Sequence, residues 1–221
     1  MSSKLLNNDK SNWRRLLAVS AILLQSGCSV FGIRSAEEAS YVVLDDQEDF
    51  QLREYAGLIV AETTVKAAFD DAGKEAFGRL FGYISGENQA SQKIAMTAPV
   101  LASEDDGRSG ESIDMTAPVI AEQAAEGWRY AFVLPDSYTM ANAPTPTNPG
   151  IRLVEIKPKL VAVLRFSGLW DEKDFRKNAD KLQSWLSKNQ LEAVSLPRIA
   201  GFDPPWTLPF LRRNEVMIDV R

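Results

Sequence analysis

The chain repeats its own order of elements, and this limits the fold more than any other feature. Phe50-Gln51-Leu52-Arg53-Glu54-Tyr55 and Ile151-Arg152-Leu153-Val154-Glu155-Ile156 are matching strand patterns. Each precedes a run rich in β-branched residues, LIVAETTV at 58–65 and LVAVLRF at 160–166. Each run leads into a helix. The first spans about 71–84, with Ala72, Ala76, Phe77, Leu80, Phe81 and Ile84 at helical spacing. The second spans about 171–189 and buries Phe175, Ala179, Leu182, Trp185 and Leu186. Further strands follow, WRYAFVL at 128–134 in the first half, then 206–210 and 216–220 in the second. Strand, strand, helix, strand, strand thus occurs twice, at a period of about 100 residues, too long for a solenoid. The expectation is an α+β fold of two pseudo-repeats, near 41–140 and 151–221, whose strands join in one sheet. A closed or nearly closed barrel would remove exposed edges.

Between the halves, 141–150 (ANAPTPTNPG) holds three prolines and no large apolar residue, and marks a loop. A shorter repeat lies inside the first half: Ile94-Ala95-Met96-Thr97-Ala98-Pro99-Val100 returns as Ile113-Asp114-Met115-Thr116-Ala117-Pro118-Val119. Its proline suits a strand end or a bulge better than a strand interior. An aspartate opens the first helix and can cap it. Gly73 and Gly78 weaken that helix by about 1 kcal/mol each relative to alanine.

The chain has no histidine and one cysteine among 221 residues. That excludes an intramolecular disulfide, a Cys/His zinc cage, a Ser-His-Asp triad and histidine-ligated haem. The net charge of −5, without a dense basic run, argues against nucleic acid as a partner. No Gly-rich phosphate loop is present, since Gly73, Gly78 and Gly82 fall within a helix. No motif selects a catalytic residue, so the expectation is a binding protein rather than an enzyme.

The N-terminus reads as an export signal. Lys4, Lys10, Arg14 and Arg15 precede the nine apolar residues LLAVSAILL at 16–24, too few to span a bilayer. The sequence Leu24-Gln25-Ser26-Gly27-Cys28 follows and ends on the single cysteine. This resembles a bacterial lipoprotein signal, with Gln25 where an aliphatic residue is usual. The resemblance implies removal of 1–27, lipidation of Cys28, a tether over 28–40 and a folded domain over 41–221. With Ser29 rather than aspartate after the cysteine, it implies the periplasmic face of the outer membrane.

Four segments carry a second resemblance: Lys93-Ile94-Ala95-Met96-Thr97-Ala98-Pro99-Val100, Phe132-Val133-Leu134-Pro135-Asp136-Ser137-Tyr138, Gly201-Phe202-Asp203-Pro204-Pro205 and Arg212-Arg213-Asn214-Glu215. In this order and spacing they resemble the SOUL/haem-binding protein family from about Tyr41 to the C-terminus. The resemblance implies a two-repeat distorted antiparallel β-barrel with two helices packed outside, like the effector-binding domains of multidrug-sensing regulators. It implies non-covalent binding of haem or another tetrapyrrole in a shallow apolar groove between the first helix and a loop near the C-terminus. By position, the groove residues are Lys74, Phe77 and Phe81 on the helix and Trp206 and Leu208 in the loop. Aromatic rings and a cation suit a flat apolar disc with carboxylates at one edge. The chain departs from the family at Gly82 and Thr207, where a basic residue can stand, and in lacking any axial histidine. Haem would be held without a ligand, or through tyrosine or a methionine such as Met96, Met115 or Met140.

From the residues alone, Phe77 and Phe81 also suit a helix core, and Asp203-Pro204-Pro205 a rigid turn. Arg212 and Arg213 suit either an anion site or an ion-paired turn. Glu54 and Glu155 hold matching places in the two halves. Pointing inward, either would make an acidic groove that scavenges amphipathic cations, with a raised pKa. A small-molecule enzyme is a further alternative.

Overall fold

The repeated strand patterns do build one sheet, and its order shows how the halves combine. The computed structural model describes residues 36–90 and 110–221. Nine strands form the sheet. They are β2 (Tyr41–Gln47), β3 (Phe50–Tyr55), β4 (Leu58–Val65), β7 (Val119–Gln123), β8 (Trp128–Val133), β10 (Ile151–Ile156), β11 (Lys159–Phe166), β12 (Arg198–Gly201) and β13 (Asn214–Asp219). They run β10-β4-β8-β7-β12-β13-β11-β3-β2, every neighbour antiparallel, and curl into a half-barrel. Two ladders are separate from it. β1 (Glu37–Glu38) pairs with β6 (Thr116–Ala117), and β5 (Asn88–Gln89) with β9 (Thr145–Pro146). Residues ahead of Tyr41 therefore also take part in the fold.

The order is symmetric about the β7–β12 junction. β4-β8-β7 belong to the first half and β12-β13-β11 to the second. The opening strand of each half crosses over: β3 pairs with β11 of the second half, and β10 with β4 of the first. Each half is thus completed by the other.

Two helices cover the outer face, α1 (Phe69–Ile84) and α2 (Glu172–Lys188). Asp171 caps α2, its carboxylate accepting from the Asp174 N–H at 2.7 Å. In α1 the cap is Ala68, without a side-chain bond, and Asp70 and Asp71 lie in the first turn. The expected aspartate cap is corrected: these carboxylates act on the helix dipole from within. Ala72, Ala76, Leu80, Tyr83 and Ile84 bury one stripe of α1 against β4 and β8. Two alanines let the helix approach closely.

The closing strands also differ from expectation. Residues 206–210 form a turn and a 3-10 helix, Pro209–Leu211, and the strand paired with β13 is β12. Pro204, Pro205 and Pro209 offer no N–H to a ladder. The Arg212 side chain satisfies loop carbonyls instead, donating through Nε to Thr207 O at 2.7 Å and through Nη2 to Pro205 O.

Candidate functional site

The outer groove begins with where α1 puts its aromatics. Phe77 and Phe81 flank the buried stripe and remain 40% and 49% exposed. They are therefore not core. Their rings stack, with centroids 5.8 Å apart and planes 10° off parallel, and Phe77 meets the buried Phe132 edge-on at 5.5 Å. Lys74 lies one turn earlier on the same face. It is 82% exposed, and its nearest ion-pair partner is Asp71 at 3.9 Å. Arg79 leaves α1 on the opposite flank, toward Thr63 of β4 at 3.3 Å. The phenylalanine flank therefore faces β7 and β12.

Register supplies the floor. Phe132, Val119 and Gly201 are direct partners across β8, β7 and β12, on the helix-bearing face. Neighbouring strands lie about 4.8 Å apart, so Gly201 is about 10 Å from Phe132. The Trp170 ring covers Gly201. Directly after Gly201 the chain leaves the sheet as the proline-rich loop, which exposes Trp206 (62%), Leu208 (39%) and Phe210 (69%). Phe77 thus borders β8, and the exposed loop residues continue from the end of β12, two strands away.

Phe210 and Trp170 were not legible as site residues. Trp206 and Phe210 bracket Thr207-Leu208-Pro209, whose alternation looks like a strand and hides which side is outside.

The loop arginines hold structure. Arg213 binds Glu38 through Nη1 at 3.0 Å and Glu215 through Nε at 2.8 Å, and its guanidinium lies 3.9 Å from the Phe202 ring centre. Met115 and Met140 are exposed. Tyr138 donates to Glu111 at 2.7 Å, and burial and that carboxylate push its hydroxyl up to about 12. Near neutral pH it stays protonated and is a poor phenolate ligand. Cys28, Met96 and the first copy of the MTAPV repeat lie outside the described residues.

The concave face is different. Glu54 and Glu155 are both exposed, on the side away from it. The expectation that either points inward is corrected: the leucine-bearing face of β3 is the outer one, and Gln51, Arg53 and Tyr55 point inside. Among the described residues the interior carboxylates are Glu62, Glu122, Asp219 and Glu215, and each has a cationic partner. They edge a cavity of about 270 Å³ walled by Leu58, Val60, Ile120, Val133 and Met217, except Glu215, which lies deeper. Glu62 was visible in principle as the single charge in LIVAETTV.

The profile of the SOUL heme-binding protein family matches residues 36–109 and 103–219, nearly all of the folded chain. The chain belongs to the SOUL heme-binding protein family. This SOUL-family chain is 29% identical over 191 residues to Heme-binding protein 1 of Xenopus tropicalis, covering 85% of this chain and 93% of the relative. Heme-binding protein 1 of Xenopus laevis is 29% identical over 168 residues, 76% of this chain and 81% of the relative. The SOUL fold here also resembles the crystal structure of the EcmrR C-terminal domain, with a TM-score of 0.52 at 13% identity, covering 82% of this chain and 98% of that one. At that identity the likeness concerns the fold alone.

Proposed function

We propose that this chain binds haem or a similar tetrapyrrole, non-covalently, between Phe77 and Phe81 on α1 and Trp206 and Leu208 on the loop. One observation carries the reading: a stacked phenylalanine pair left in water beside an apolar floor, in a member of a haem-binding family. Contiguous exposed apolar surface on a soluble domain marks a contact site.

The residues suit the group. The aromatic rings take the apolar disc, and Lys74 gives a propionate a cation. With no histidine in the chain, the exposed thioethers among the described residues, Met115 and Met140, are the axial donors on offer there, and haem can also be held without a ligand. Bound haem would supply redox and ligand-binding chemistry at its iron. The protein's part is to bind the disc, screen it from water and orient its edge. This makes the chain a binder rather than an enzyme. The reading extends to a lipid anchor at Cys28 that holds the domain at the cell envelope, facing the periplasm from the outer membrane. The motif from Leu24 to Cys28 supports it.

Titrating the full chain with haemin, followed in the Soret region, tests the binding. Saturable one-to-one binding, weakened by Phe77→Ala and by Lys74→Glu, is expected. Absence of saturation would sink the reading and move the search to amphipathic cations. For the anchor, Cys28→Ser should shift the protein from the membrane to the soluble fraction. An unchanged distribution would refute lipidation.

A further inference from the structure

We propose that the concave face of the half-barrel is a second ligand site, for a small amphipathic anion such as a medium-chain carboxylate. Its head would meet Lys159 and Arg198, and its chain would lie along Leu58, Val60 and Ile120.

Size separates this site from the outer groove. The cavity holds about 270 Å³. Pockets for drug-sized ligands run from about 300 to 1,000 Å³, so a tetrapyrrole is too large and a short alkyl chain is not.

Charge selects the sign. Glu62 accepts from Arg152 Nε at 2.7 Å and Nη2 at 2.6 Å, and Glu122 pairs with Arg129. These pairs are balanced. Asp219 faces two cations, Arg198 on Oδ1 at 2.5 Å and Lys159 on Oδ2 at 2.7 Å. Counted with Arg152 and Arg129, which pair with the lining carboxylates from behind the wall, four cations meet three carboxylates, and the surplus lies at Lys159 and Arg198. The Arg198 side chain is 9% exposed, so water satisfies it poorly. Lys159 is held below its usual range by burial and by Arg198, which Asp219 and, more weakly, Glu122 only partly offset. Asp219 is itself held low, because Arg198 and Lys159 outweigh its burial. The carboxylate is over-supplied with cations and the ammonium under-supplied with anions. A second carboxylate corrects the imbalance, whereas a cation would worsen it.

Apart from Tyr55 and Ser195, the rest of the wall is apolar and would cover a chain. This arrangement also speaks against the acidic groove expected for a cation scavenger.

Calorimetric titration of the full chain with octanoate, octanol and octyltrimethylammonium tests the site. Octanoate should bind saturably and one-to-one, and the cation should not. Lys159→Met should weaken octanoate roughly tenfold or more, as loss of a charge-assisted contact does. Ile120→Trp, which fills the cavity, should abolish it. Should that variant fail to fold, Lys159→Met, at a partly exposed position, still decides. Prior saturation with haemin should leave octanoate binding unchanged, and Phe77→Ala should weaken haemin alone. Equal or tighter binding of the cation, displacement of octanoate by haemin, insensitivity to Lys159→Met, or no saturable octanoate binding would each overturn the proposal.

Discussion

Arg53 and Glu215, 162 positions apart, form a two-pronged ion pair at 2.8 and 2.9 Å with both side chains wholly out of solvent. Gln51 accepts from the same guanidinium at 2.6 and 2.8 Å, Tyr55 Oη lies 3.0 Å from Nη1, and the Tyr41 ring lies 4.3 Å from it. Every donor of the fork is used, so the charge is tolerated where an isolated one would not be. Burial lowers and Glu215 raises the Arg53 pKa, and the net shift is upward, keeping the guanidinium charged. Burial pushes the Tyr55 hydroxyl up to about 12. The pair ties β3 of the first half to β13 of the second.

Breaking one side strands a buried charge. Glu215→Ala should lower stability by about 3–5 kcal/mol. Replacing both, Arg53→Met with Glu215→Leu, should recover most of that loss. Urea denaturation of the three proteins checks it, and a double variant as unstable as the single would disprove the stranded-charge account.

Phe77 and Leu80 sit three residues apart with opposite roles. Leu80 has no exposed surface, so Leu80→Ala should cost about 2–5 kcal/mol. Phe77→Ala should cost less, about 1–2 kcal/mol, since the residue is two-fifths exposed and packs only one side on Phe132. Thermal melts of both variants, beside the haemin titration, separate a binding role from a packing role. A large stability loss on Phe77→Ala would return that ring to the core.

Acid stability should depend on Asp219. Burial raises its pKa, but Arg198 and Lys159 outweigh burial and hold it below the usual 3.8. The unfolded chain therefore takes up this proton first as pH falls. The contribution is complete above the unfolded value and fades as pH drops through it toward the lower folded value. Asp219→Asn should be less stable at neutral pH and lose less below about pH 4. Lys159 works the other way: its folded pKa lies below 10.5, so stability rises with pH between the two values. Lys159→Met should flatten that alkaline rise. Chemical denaturation across the pH range measures both slopes, and identical slopes in variant and parent would refute them.

Gly201 is the one floor residue of the outer groove without a side chain. A Cβ there would lie 2.5 Å from the Trp170 ring. Gly201→Ala must push that indole aside, at about 1–3 kcal/mol. It should also disturb the groove, so haemin affinity should fall with stability. A variant as stable as the parent, with unchanged tryptophan fluorescence, would show that Trp170 yields freely.

Much of the fold was legible because local patterns and tertiary packing agree. LIVAETTV became β4, and Asp171 caps α2. The face of α1 was harder. Its spacing shows which residues share a stripe, but Phe77 and Leu80 are both apolar and only about 60° apart around the helix, and only the position of β8 decides which is covered. The turn at 206–210 was misread because alternation survives in sequence after proline has removed the ladder donors.

By itself the sequence determined two repeated units, the strand and helix types, the absence of imidazole chemistry and the family. These follow from local period, residue chemistry and motif order. Only the tertiary structure decided that β3 and β10 change halves, that Arg53 finds Glu215 inside, and that Glu54 and Glu155 face out while Asp219 gathers two cations. Such facts depend on which strands pair and which face curls inward, and no short window of sequence holds both partners.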